Sequence, residues 1–486
     1  MSYLSLLLGI PLFGMGIIFL LSPRQYTLIR RIALLHSGLA LGLAGWLWFL
    51  FDTTVATLQF VEHLQWNTHL GTSYALGIDG FSYPMVLLTA LLCFVSLLAS
   101  KGVRRPIKGY YMLMLVLETA TLGVFMARDW AIFYLFWEVT LIPLFFLINF
   151  WGGPNRHGAS INFMLYTLGG SVFMLISLLV LFDASPNRSF EMSAIALGAK
   201  TLPLDTQILV FLGFLIGFGV KMPVFPIHGW LPLAHVEAPS PVSILLSGIL
   251  LKMGAYGLIR ISGTLPTAAL AFQDMLYALA LIGLIYGGLL AWRQRDLKRM
   301  IAYASVSHMG VVLMGIASFN LIGMTGAVLQ MVAHGLVAGS LFLLIGLLYE
   351  RTHTRDIGDY SSLVLITPRF ALFTVLALVA GTGLPGTAGF IAELHTLIGG
   401  FQQWGWSASI LALGVIISAA YALRTIGRLF TGPVRPSIRN IDDLRPHELI
   451  AVGTLAVSII VIGIYPAPTV SLFTASVTQF STLFIQ

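Results

Sequence analysis

Apolar residues run in long blocks along this chain instead of alternating with polar ones. A helix needs about 20 such residues to cross the hydrocarbon core of a bilayer. Runs of that kind fall near 3–22, 32–51, 78–100, 110–128, 130–151, 161–183, 205–227, 240–262, 268–292, 299–318, 321–349, 369–401, 406–430 and 449–466. They predict about fourteen spans, with 369–401 long enough to need a break. Helix breakers interrupt two of them: Pro223, Pro226 and Pro232 in the seventh, and Gly381, Gly383, Pro385, Gly386 and Gly389 in the twelfth. Unwound backbone at membrane depth is tolerated only where protein buries it or where it lines a wet cavity. Breaks five spans apart divide the chain into a three-helix segment (1–108), a five-helix unit (109–263), a second such unit (266–430) and a C-terminal helix and tail (431–486). An odd number of spans per unit places the second upside down relative to the first, an arrangement found in transporters. The predicted fold is all-α, integral to the membrane, with two inverted five-helix repeats that each contain a broken helix.

Composition supports that reading. Of 486 residues, 58% are hydrophobic and 9% charged, whereas a soluble domain carries roughly 25% charged residues. The stretch Met1–Leu21 has neither a basic leader nor a small-residue cleavage site, so it reads as a retained first helix. The net charge of +7 is split among short clusters between apolar runs: Arg24, Arg30 and Arg31; Lys101, Arg104, Arg105 and Lys108; Arg293, Arg295, Lys298 and Arg299. Such clusters are topology signals and not a nucleic-acid face. They follow the first, third and ninth spans, another follows the thirteenth, and the loops after the second and twelfth carry no Lys or Arg. An even span count then puts both termini on the periplasmic side of a bacterial inner membrane. Cys93 is the single cysteine, which excludes a disulfide framework, a thiolate zinc site or an iron–sulfur cluster held within the chain. Gly381-Thr-Gly-Leu-Pro-Gly386 matches a dinucleotide fingerprint in letters only, since a helix precedes it and a proline lies inside it.

Within this apolar background a few charges stand out. A charged side chain at mid-membrane costs about 2.5–3.5 kcal/mol on insertion scales. Glu138 (FYLFWEVTLIPL), Lys221 (FGVKMPVFP), Lys252 (LSGILLKMGAYG) and Glu393 (GFIAELHTL) all lie deep in apolar sequence. Structural ion pairs are one account of them. A wet proton path is the better one, because deep charges of both signs occur in the first unit and a deep acid recurs in the second. A carboxylate near a buried lysine favours its charged form, and burial favours the neutral one. Lys221 beside Glu138 is therefore a proton store that can be switched, and the proline break after it gives room for water. His308 and His334 offer relay groups in the second unit, and His228 and His235 flank the first break as possible entry points. Glu118 is a further deep acid, expected to pair with a helix neighbour or to take a direct part in the proton path. Asp79 reads as a cap of the third helix, and His395 has no assigned role.

The stretches FGVKMPVFPIHGWLPLAHVEAPSPVS, LLKMGAYGLIRI, DLKRMIAYASVSHMG, LYERTHTRDI and LPGTAGFIAEL resemble the M-subunit family of proton-pumping NADH:quinone oxidoreductase, respiratory complex I. The resemblance runs collinearly from about Ile78 to Pro466. It implies a Glu138–Lys221 tuning pair, Lys252 as central relay, Glu393 as terminal proton carrier, and His308 and His334 on family positions. It also implies a translocase subunit partnered by the related L and N subunits, with FMN, iron–sulfur clusters and quinone in partner subunits. The L and N subunits and the Mrp-type sodium/proton antiporters look similar but usually carry lysine where this chain has Glu393. An Mrp-type antiporter subunit, or the same module in a hydrogenase or ferredoxin-linked complex, is the alternative reading. Leu233 stands where the family often has aspartate.

Overall fold

The computed structural model describes residues 2–103 and 106–485. Met1, Arg104, Arg105 and Gln486 lie outside the described residues, and with Arg104 and Arg105 go two members of the second basic cluster. The chain opens with α1 (Tyr3–Leu20) and α2 (Tyr26–Leu47), followed by a hairpin of β1 (Gln59–Asn67) and β2 (Thr72–Ile78). Next come α3 (Tyr83–Ala99), α4 (Ile107–Met126), the collinear pair α5 (Trp130–Val139) and α6 (Leu141–Trp151), and α7 (Arg156–Ala184). After α8 (Met192–Ala199), α9 (Leu204–Lys221) and α10 (Trp230–Glu237) flank the first break. A π turn, Leu246–Leu250, joins α11 (Ser240–Leu245) to α12 (Leu251–Thr264). The short α13 (Pro266–Ala271) precedes α14 (Gln273–Arg293), α15 (Leu297–Ala317), α16 (Leu321–Thr352) and the single turn α17 (Leu363–Ile366). The second break separates α18 (Pro368–Ala380) from α19 (Ala388–Trp404), and α20 (Ile410–Phe430), α21 (Pro446–Ile464) and α22 (Ala467–Thr482) close the chain.

Among the described residues, thirteen continuous helical stretches are long and apolar enough to cross a membrane. One of them, Ala388–Phe430, contains both α19 and α20, and the shorter Pro368–Ala380 supplies the first half of the broken twelfth span. Each predicted span therefore has its helix. The breaks are narrower than the sequence suggested. Pro232 sits inside α10 and Gly389 inside α19, so the unwound segments are residues 222–229 and 381–387. The indole N–H of Trp230 bridges the first of these, donating to the Val220 carbonyl at 2.8 Å.

Three features differ from expectation. Helix α2 starts at Tyr26, so Arg30 and Arg31 lie within its second turn and not in a loop. The segment between the second and third spans folds as an antiparallel hairpin, tied down where the Arg128 amide donates to the Ala75 carbonyl and that of Phe190 to Gly71, each at 2.8 Å. The tail forms α22, which buries Leu472, Phe473, Ser476, Val477 and Phe480 at helical spacing and leaves its threonines outward.

Burial is uneven, and that fixes where the centre is. The most apolar 18-residue stretches of the spans Ser240–Thr264 and Leu321–Thr352 are buried throughout, whereas only about a third of that in α1 is. The two most enclosed helical spans carry Lys252 and His334.

Asp79 does more than cap. Its Oδ1 accepts from the Phe81 and Ser82 amides and also meets Arg260 at 2.6 Å and Arg128 at 3.4 Å. Burial alone would push its carboxyl up, but the two guanidiniums outweigh burial and hold it well below the usual carboxylate range. Asp79→Asn would leave two inward-facing guanidiniums without their counter-charge, a loss of about 3–5 kcal/mol. The expected outcome is a sharp fall in the yield and thermal stability of the membrane-extracted protein. Wild-type melting would show that the cluster contributes little.

Candidate functional site

Lys221 is the last residue of α9, and its side chain is 1% exposed. Its Nζ donates to Thr140 Oγ1 at 2.9 Å and sits 4.1 Å from the ring centroid of Trp137. Thr140 lies at the α5–α6 junction, two residues after Glu138. The expected contact pair is not a contact pair. Among the described residues no ion pair within 4 Å joins Glu138 to Lys221, although the two lie within electrostatic reach. The ammonium instead takes a neutral hydroxyl and an aromatic face. Glu138 is half-buried and has one carboxylate oxygen, Oε1, shut off from solvent without a partner. The coupling of this pair therefore runs through space, not through a shared hydrogen bond.

Lys252 follows the π turn. There the wider backbone lets its Nζ reach the Ser247 carbonyl at 2.5 Å and share a hydrogen bond with His334 Nδ1 at 2.6 Å. π turns of this kind recur at functional sites. The ring of His334 meets that of His308 edge to face, with centroids 5.4 Å apart, and His308 Nε2 is buried and unpartnered. A cavity of ≈ 20 Å³ opens beside both rings, lined also by Ser305, Gly381 and Tyr421. That is room for about one water molecule. Ser305 in turn exchanges a hydrogen bond with Ser247 at 2.9 Å. Beyond the cavity, Tyr421 lies within electrostatic reach of Glu393, whose Oε2 packs against Gly383 in the second break. The structure thus brings Lys252, His334 and His308 into one line, and Tyr421 extends it toward Glu393. Lys221 stands at the other end, on α9 packed against α12, with Gly254 of α12 resting on Phe218 and Met222.

Gly383 has a specific duty in this line. Its φ is +71°, and a Cβ built there would fall 2.5 Å from Glu393 Oε2. Gly383→Ala is expected to displace the carboxylate and reduce proton pumping several-fold in an assembled protein. Unchanged pumping would show that the carboxylate's position is not critical.

The other candidates are placed differently. His235 stacks on Phe342 with centroids 4.5 Å apart, and both of its ring nitrogens are buried without partners. It lies within electrostatic reach of Lys252 on one side and Lys298 on the other. His228 packs between Phe225 and Tyr286 at the first break, its Nδ1 unpartnered. Glu118 takes Ser37 Oγ at 2.9 Å, not a cation, and belongs to the packing of α4 against α2. His395 bonds the Ile391 carbonyl of its own helix at 2.7 Å, and Leu233 is exposed on α10.

Sequence reasoning missed four groups. Thr140, Ser247 and Tyr421 are polar but uncharged and so unremarkable in a membrane helix. Lys298 was read as part of a basic topology cluster. It is 3% exposed and donates to the Ala238 carbonyl at 2.7 Å. Its signal was its phase, since it sits seven residues before Ser305 on the buried face of α15. Among the described residues, no group of three or more His, Cys, Asp or Glu side chains is placed to hold a metal ion.

Comparison with known proteins agrees with this architecture. Residues 127–419 match the family described as NADH:quinone oxidoreductase/Mrp antiporter, TM, and residues 41–127 match NADH-ubiquinone oxidoreductase chain 4, amino terminus. An NAD(P)H-quinone oxidoreductase chain 4 of Thermosynechococcus vestitus is 41% identical over 476 residues, covering 96% of this chain and 89% of the relative. A chain of respiratory complex I from Thermus thermophilus superposes with a TM-score of 0.91 at 31% identity, over 99% of this chain and 100% of that one. A chain of the Mrp complex from Dietzia shares the fold, with a TM-score of 0.84 at 23% identity over 98% of this chain and 52% of that one. The chain belongs to the NADH:quinone oxidoreductase/Mrp antiporter membrane family, in its chain 4 branch.

Proposed function

We propose that this chain is the proton-translocating M-type membrane subunit of an NADH:quinone oxidoreductase in a bacterial inner membrane, with both termini periplasmic. The single observation that carries this is the buried line Lys252–His334–His308, joined at 2.6 Å and by ring contact, with all three side chains buried. Inert anchors have no need of ionisable groups in contact at such depth, because each costs insertion energy.

In this reading, Lys221 accepts a proton supplied past the first break, where His228 and His235 stand. Through-space attraction from Glu138 holds that proton. When Glu138 is neutralised or displaced, Lys221 releases it toward Lys252, and the histidines with one intervening water pass it to Glu393. Glu393 delivers it to the opposite side. Units 109–263 and 266–430 act as the two half-channels. Partner subunits, the related L and N chains among them, hold the FMN, iron–sulfur clusters and quinone site whose electron transfer drives the cycle. Glu393, where L, N and Mrp-type chains usually carry lysine, supports the M assignment.

Purifying the chain from native membranes through an affinity tag tests the assignment. Flavin- and iron–sulfur-containing partners with quinone reductase activity are expected. Recovery with antiporter subunits alone would favour the Mrp reading, and a hydrogenase partner would place the module in that relative.

A further inference from the structure

A cavity of ≈ 700 Å³ lies apart from the proton line, beneath the β1–β2 hairpin where the approach to α3 and the ends of α4 and α12 meet α22. Arg128 and Arg260 form its floor together with Asp79, and Leu58, Val61, Phe81, Ile259, Phe480 and Leu483 form much of its wall. The two guanidiniums share one carboxylate oxygen, Asp79 Oδ1. Arg128 is otherwise engaged, donating to the Gly77 carbonyl at 2.9 Å and to Ser82 Oγ at 3.0 Å. Arg260 is less satisfied. Its Nη2 meets Asp79, its guanidinium lies over the rings of Tyr256 and Phe81, and its Nε is buried with no hydrogen-bond partner.

The charges around the cavity leave the floor positive. Asp79 offsets one guanidinium, not both. Glu191, at the mouth, is engaged by His63 Nε2 at 2.7 Å and Ser73 Oγ at 3.0 Å. Asp129, though close in sequence, accepts from Ser73 and from the Ala131 and Ile132 amides at the start of α5. An anion that presents two oxygens side by side, as a phosphate does, suits a guanidinium fork that has donors to spare. The volume is many times that of a free phosphate, and the wall is apolar as far as its rim. Val61 there is 58% exposed, Leu483 50% and Leu58 42%. The cavity also sits where membrane-spanning helices end.

We propose that this cavity binds an anionic phospholipid, its phosphate on Arg260 and Arg128 and its acyl chains along Leu58, Val61, Phe480 and Leu483. Bound there, the lipid bridges the hairpin and α22 to the helix ends.

Photolabelling of the assembled complex tests this. Complex purified from membranes and exchanged into detergent is mixed with a photoactivatable phosphatidylglycerol, irradiated and digested, and labelled peptides are mapped by mass spectrometry. Labels on segments 57–63 and 476–485 are expected, at least tenfold above those from the matching phosphatidylcholine probe. Arg260→Gln should reduce this labelling at least tenfold relative to labels elsewhere on the same preparation. Because Arg260 also holds Asp79, Gly263→Met serves as a second variant. It projects a side chain from the cavity wall toward Phe480 without touching the charges and should reduce labelling similarly. Equal labelling by the neutral lipid, or labelling unchanged in Gly263→Met, would overturn the proposal. Competition by millimolar inorganic phosphate as effective as by unlabelled phosphatidylglycerol would overturn it too, showing a free-anion site.

Discussion

Alanine at Lys221 is expected to abolish most proton pumping by the assembled complex and to slow its coupled quinone reduction. Lys221 is the only lysine at the first helix break, and it is buried with a hydroxyl and an indole face as its contacts. Neither partner can replace the proton that the ammonium carries. Lys221→Arg should be nearly as poor, because a guanidinium stays protonated at any accessible pH. It keeps the charge and loses the release. Reconstituted vesicles energised with NADH and quinone report both rates at once, after assembly has been confirmed. Normal pumping per electron in either variant would remove Lys221 from the path.

Glu138→Gln should uncouple nearly as strongly, and Glu138→Asp should retain part of the function. Without direct contact, the attraction between Glu138 and Lys221 depends on distance through the protein's effective dielectric. At an effective dielectric near 20 it is about 4 kcal/mol at 4 Å and about 2 kcal/mol at 8 Å. The proton affinity of Lys221 then changes by about 30-fold to about 1,000-fold when the carboxylate is neutralised. That range spans a proton held and a proton released. A tether would behave differently: with no ion pair to break, glutamine would keep the packing, lower the yield slightly and leave pumping per electron intact. Yield of complex and protons per electron, measured on one preparation, separate the two.

The buried line of ionisable groups was legible because the membrane makes charge conspicuous. Lys252, Glu393 and Lys221 each interrupt a run of aliphatic residues, and no solvated surface can explain them at that depth. The broken helices were legible for a related reason, since prolines and clustered glycines inside an apolar run have few other uses. What stayed hidden carries little or ambiguous cost. Thr140 and Ser247 satisfy their hydroxyls on nearby backbone in many helices, so nothing marks them as contacts of a lysine ammonium or of the residues around it. Lys298 was masked by Arg293, Arg295 and Arg299, which are exposed. The direction in which Lys298 faces depends on where α15 begins. The separation of Glu138 from Lys221 could not be read at all, because it is set by how α5 and α9 pack. The hairpin was lost for want of length: its strands are nine and seven residues, and they show in the sequence only as a polar interval between two spans.

Protons pumped per electron by the complex carrying Lys252→Met is the most direct measurement of the central claim. Methionine nearly matches the length of lysine and suits a fully buried site, but it carries no proton and leaves His334 Nδ1 without its 2.6 Å partner. If the buried line through this chain moves protons, the ratio falls well below wild type while the complex assembles and its flavin site still oxidises NADH with an artificial acceptor. A wild-type ratio in a fully assembled complex would mean that protons cross elsewhere and that the line is structural.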